Sequence, residues 1–133
     1  MPVTASTVPT PMFKDLGAGH FMWTHADLYD NNTIAAWTRT QSVTWFGGYI
    51  GTVVVIALDA NDGYLGETPQ QTFGVNGTAF GGSDRTDAWY HTFSPSLPQP
   101  ARLVAVHGWQ FEARALAEIA KAAGTVAAIL SFL

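Results

Sequence analysis

Between His20 and Tyr29 the chain alternates strictly, with Phe21, Trp23, His25, Asp27 and Tyr29 on one face and Met22, Thr24, Ala26 and Leu28 on the other. A period of two is the signature of a strand with two unlike faces. Asp30-Asn31-Asn32 follows, supplying residues that tolerate left-handed backbone angles, so a hairpin is predicted there. The next run, Thr33 to Phe46, sets Trp37, Arg39, Gln41, Val43 and Trp45 against Ile34, Ala36, Thr38, Thr40, Ser42 and Thr44. It reads as one long strand or as two separated by a bulge.

Beyond the corner at Gly47-Gly48, Thr52 to Leu58 is apolar on both faces, which predicts a central strand covered on both sides. Asp59-Ala60-Asn61-Asp62-Gly63 is a turn signal, and Tyr64-Leu65 resumes a strand. Pro69 marks an edge or boundary near Gln70 to Val75, and Asn76-Gly77 turns the chain again. Thr86 to Phe93 is an aromatic strand with Trp89, His91 and Phe93 on one side, and the prolines of Ser94 to Pro100 force an irregular connection. Arg102 to His107 is a short strand. From Trp109 the period changes, and Leu116, Ile119, Ala120, Ala123, Ala127 and Leu130 fall on one face of an alanine-rich helix, with Gly124 a candidate kink or end.

These elements predict a mainly β fold: an antiparallel β-sandwich or small barrel of six or seven strands with one C-terminal α-helix. The expected organisation is an extended arm over residues 1–19, a β-sandwich over 20–108, and an amphipathic helix over 109–133 packed on its own domain or on a neighbouring subunit. The uncharged stretch Ala122 to Leu133 falls short of the ~20 residues a membrane span needs, so a buried or partner-facing helix is expected instead. The first ten residues carry neither the basic nor the apolar region of a secretory signal.

Composition sharpens the picture. The 133 residues are 47% hydrophobic but only 12% charged, about half the usual ~25%, which excludes an intrinsically disordered chain. A net charge of −4 argues against a surface that tracks nucleic-acid phosphates. With no cysteine, disulfides, thiolate catalysis and cysteine-ligated zinc are excluded. Scarce charge and an apolar helix together favour association with further copies of the chain, with Leu116, Ile119, Ala123, Ala127, Leu130 and Leu133 as the self-association residues.

The candidate chemistry is sparse. Asp59, Asn61, Asp62 and Glu67 offer the oxygen ligands calcium prefers, but the sixth position of the loop is Tyr64 where an EF-hand needs glycine, so a hairpin turn without a cofactor is the expected role and a weak, non-EF calcium site the alternative. Gly82-Ser83-Asp84-Arg85 lacks the final glycine of a nucleophile elbow, and no nucleotide-binding glycine motif occurs. His25 and Asp27 share a strand face, and a metal-dependent or hydrolytic site would need His91 to join them. The stronger signal is aromatic: tryptophans on a strand face can stack on sugar rings while neighbouring polar groups hydrogen-bond the hydroxyls. The candidate ligand-binding residues are therefore Trp23, Trp37, Trp45 and Trp89 with the polar cluster Asp84, Arg85 and Asp87. The functional expectation is a non-catalytic module that binds itself, a surface or a glycan.

Overall fold

The computed structural model describes residues 2–80 and 83–124. It contains two antiparallel sheets and one helix near the C-terminus. The first sheet, A, is built from β1 (Val3–Ser6), β2 (Met12–Gly17), β3 (His20–Tyr29), β4 (Thr33–Ser42) and β8 (Asp84–Thr92). The second, B, comprises β5 (Tyr49–Leu58), β6 (Tyr64–Glu67), β7 (Gln71–Val75) and β9 (Arg102–Gly108), with α1 spanning Gln110–Ala123. Among the described residues nine strands stand where the pattern predicts six or seven. The excess comes from short pieces. β1 and β2 both pair along one edge of β3 on either side of Pro9 and Pro11, and β6 and β7 divide one edge of β5 on either side of Thr68-Pro69-Gln70.

The β3–β4 hairpin forms at the asparagine pair, where Asn32 takes φ 62° and its N–H donates to the Tyr29 carbonyl at 3.0 Å. Trp109 precedes α1 in an extended conformation, and Gly124 ends the helix at φ 73°, a left-handed angle that a Cβ would strain. The Gly124 carbonyl then accepts the Tyr64 N–H at 2.7 Å, tying the helix end to β6. Among the described residues no helix is long and apolar enough to cross a membrane.

The inner faces of the two sheets meet in one core. Met22, Leu28 and Ile34 from sheet A and Val53, Val55, Leu103 and Ala105 from sheet B are buried there. Gly51 permits a close approach of the sheets, since a Cβ at that position would sit 2.8 Å from Met22 Sδ and 3.0 Å from Thr40 Cγ2. The outer face of sheet B is covered by α1. Ala117 and Ala120 are fully buried, letting the helix settle close to the branched side chains of Val54, Ile56, Val104 and Val106. Of the expected apolar face, Ala120 is buried against the sheet. Leu116 is half-buried and packs against the core, while Ile119 and Ala123 are exposed. Ala127, Leu130 and Leu133 lie outside the described residues.

A chain of polar side chains crosses this core. Trp89 Nε1–H on β8 donates to Thr38 Oγ1 at 3.0 Å. Thr38 and Thr24 hydroxyls stand 3.0 Å apart on β4 and β3, and Thr24 Oγ1 lies 2.8 Å from His107 Nε2 on β9. The indole can only donate, so Thr38 accepts from it, and the hydroxyls of Thr38 and Thr24, each able to donate and accept, continue the line to the ring nitrogen of His107. Complete burial, assisted by the nearby Lys14 charge, depresses the His107 pKa to about 3.

The unfolded chain takes up a proton at its ordinary histidine pKa of about 6.5 while the folded one does not, so stability is full above that value and declines as pH falls toward 3. Urea unfolding should show a loss of about 1.4 kcal/mol per pH unit from this group, roughly 2 kcal/mol by pH 5. His107→Gln, whose amide can still hydrogen-bond with Thr24 in either direction, should flatten that slope. An unchanged slope in the variant would mean that other groups set the acid sensitivity.

Candidate functional site

The outer face of sheet A inverts the usual distribution of side chains. Thr24, Thr38, Thr40 and Ser42 point into the core, while Phe21, Trp23, His25, Trp37 and Arg39 look outward and remain partly exposed. Burying a tryptophan removes far more apolar surface from water than burying a threonine, so packing alone does not select this arrangement. Among the described residues no other element lies over this face, in contrast to the helix-covered face of sheet B.

Strand register arranges the outward groups in rows. Phe13, Trp23, Arg39 and Thr86 form one row across β2, β3, β4 and β8. In it the Phe13 and Trp23 rings are 5.1 Å apart, and the Arg39 guanidinium sits over the Trp23 ring at 4.7 Å from its centroid. His25, Trp37 and Ala88 form the next row, with the His25 and Trp37 rings nearly parallel at 6.2 Å. On the other side of Trp37 the register partner is only a methyl group, Ala88. Tyr90, 70% exposed, stands one row further along β8.

Polar groups border the rings. Asp84 holds Arg39 through two hydrogen bonds, 3.0 Å to Nε and 2.7 Å to Nη2, and that hydrogen bonding lowers the Asp84 pKa and raises that of Arg39. At the other end, Asp27 accepts from Ser6 Oγ at 2.6 Å and stands 2.8 Å from His25 Nε2. Both carboxylates are thereby oriented, and each retains lone pairs for a further donor.

The sequence-derived candidates are dispersed by the fold. Trp23, Trp37 and Asp84 share the outer face. Trp89 does not join them. Paired with Ala36, it points inward and is buried, the large ring occupying the space its small partner leaves. Trp45 lies beyond the end of β4, in the loop to β5, where it is 63% exposed and meets Phe46 edge to face at 5.8 Å. Arg85 and Asp87 pair with each other at 2.7 and 2.9 Å on the edge strand, and Arg85 also donates to the Gly74 carbonyl at 3.1 Å.

His91 sits opposite Ile34 on the inward side of β8, away from His25 and Asp27. In the β5–β6 turn, Asp59 Oδ1 accepts the N–H groups of Asn61 and Gly63, both at 2.8 Å. Asp62 pairs with Arg102 at 3.1 Å, while Glu67 accepts the Tyr64 hydroxyl at 2.9 Å. Among the described residues no group of three or more His, Asp or Glu side chains is placed to hold a metal ion. Phe13, Phe21, Arg39 and Tyr90 are the residues of the face that sequence reasoning left out. The signal for Phe21 and Arg39 was present, since they alternate in phase with Trp23 and Trp37, whereas Phe13 and Tyr90 depend on which strands become neighbours.

Compared with protein-family models, with curated proteins and with solved structures, the chain matches none of them.

The Arg39–Asp84 pair makes a direct prediction. In a side-chain carboxyl NMR titration Asp84 should ionise below the ordinary carboxylate range, and Arg39→Leu should return it to that range. Both groups are about 40% exposed, so the variant should lose little stability. A normal Asp84 titration in the unaltered protein would show that the pair does not persist in solution.

Proposed function

We propose that the chain is a β-sandwich module that binds carbohydrate, without catalysis, through the outer face of sheet A. The observation that carries this reading is the inverted strand pattern: tryptophans face solvent and threonines face the core on the same two strands. The apolar face of a pyranose ring lies against an indole, and its hydroxyls need acceptors and donors around the rim of the contact. Trp37 provides the ring, with Ala88 leaving room beside it. Asp27, Gln41, Asp84 and Thr86 provide rim groups on the same face. The pairs Arg39–Asp84 and His25–Asp27 fix their carboxylates before a ligand arrives, which reduces the ordering cost of binding. A facing pair of sheets with a single shared core is what supports the sandwich description.

Self-association is a second reading with its own observation. Val43, Trp45, Phe46 and Ile50 are each more than half exposed, in and beside the loop between β4 and β5, in a chain whose surface carries few charges. Light scattering over a dilution series tests it, and a concentration-independent monomer would dismiss it.

The glycan reading is tested on an immobilised-sugar panel with Trp37→Ala beside the unaltered protein. Trp37 is partly exposed and outside the core, so the variant should unfold as cooperatively as the parent while binding falls at least about tenfold. Failure of the intact protein to bind any sugar, or full binding by the variant, would refute it.

A further inference from the structure

Among the described residues backbone pairing joins the two sheets along one side. There the chain between β1 and β2 crosses to β9, with Thr7 bridging Leu103 and Val8 N–H donating to the Leu103 carbonyl at 3.2 Å. On the opposite side β8 and the split strand β6/β7 run past each other unpaired. Arg85 straps one end of that seam by donating to Gly74 and lying over the Phe73 ring at 5.8 Å. The other end opens into a cleft of about 540 Å3, walled by the later turns of α1 and continuing into a second lobe of about 480 Å3. Glu67, His91 and Lys121 line both lobes, and they come from β6, β8 and α1.

The cleft has walls of opposite hydrogen-bonding character. On the strand side, Glu67 is oriented by the Tyr64 hydroxyl, 2.9 Å from Oε1. Gln70 lines the same cleft, and its Oε1 is buried without a hydrogen-bond partner. A buried acceptor left unmade costs free energy that a ligand donor would recover. On the helix side stands the Lys121 ammonium, a donor only. Arg114 directs its charge to Glu118, 3.4 Å away on the same helix, which leaves Glu67 and Lys121 as the facing charges. Burial lowers the His91 pKa, so its ring is neutral at pH 7 and adds one donor and one acceptor between the walls.

We propose that this cleft is a second ligand site, independent of the outer aromatic face, and that it takes a small zwitterion of the α-amino acid class. The ligand ammonium supplies donors to Glu67 and Gln70, and the ligand carboxylate meets Lys121. Neither group alone satisfies both walls, so the site discriminates against simple amines and simple acids. The side chain of the ligand extends into the second lobe, beside Phe93 and Leu97.

Titration calorimetry with a panel of free L-α-amino acids, their N-acetyl derivatives and their methyl esters tests the proposal. At least one free amino acid should bind, and masking either end should weaken it at least about tenfold, the usual scale for losing one charge-assisted contact. Glu67→Gln, which still accepts from Tyr64, and Lys121→Met on the exposed helix surface should each produce the same loss, while Trp37→Ala should leave binding intact. Absence of binding by every free amino acid, or equal binding of the masked forms to the unaltered protein, would overturn the proposal. So would retained affinity in both cleft variants.

Discussion

The hydrogen-bonded line from Trp89 through Thr38 and Thr24 to His107 is the constraint on which the rest of the arrangement depends. It spans both sheets and three adjacent strands of sheet A, and it is satisfied only if the threonines of β3 and β4 face inward. A strand has two faces and a slip of one residue exchanges them. Slipping β3 or β4 would bury Trp23 or Trp37, expel a threonine and leave the indole N–H and the imidazole of the core without partners. Buried polar groups tolerate such a loss poorly. The line therefore fixes register more strictly than an apolar core would, and the outward aromatic face follows from it.

Which outward face remains available is decided by the helix. The strands of sheet B are apolar on both sides, and α1 covers the side turned away from the core through Ala117 and Ala120. Among the described residues sheet A has no such cover, and its outward residues combine rings with ion pairs. The two sheets thus differ in exposure: sheet B is covered on both sides, while sheet A packs one face on it and leaves the other partly exposed.

Much of this was legible in the sequence where one residue class alternated with another. The faces of β3, the asparagine hairpin and the doubly buried character of β5 follow from period and composition alone. β1 and β2 were not legible, because prolines break them into pieces too short to show a period and their pairing with β3 spans the chain between. The direction of Trp89 was hidden for a different reason. β8 is an edge strand with exposed residues on both sides, so alternation of polarity carries no sign of which face is inner. The cleft could not be read at all: Glu67, His91 and Lys121 are separated by more than twenty residues each, and only the open seam between the sheets brings them together.

That open seam has one more consequence. An unpaired strand edge offers a row of amide and carbonyl groups to any strand that drifts past, and a chain with sixteen charged residues among 133 has little general repulsion to keep neighbours away. The scarce charges are not spread evenly. Asp84, Arg85 and Asp87 stand together on β8, and Arg85 is fastened to the facing strand. A neighbour adding its strand there would have to strip water from those ions and dislodge that strap before its first backbone bond could form. The end of the seam where the two edges come nearest thus carries its own electrostatic defence.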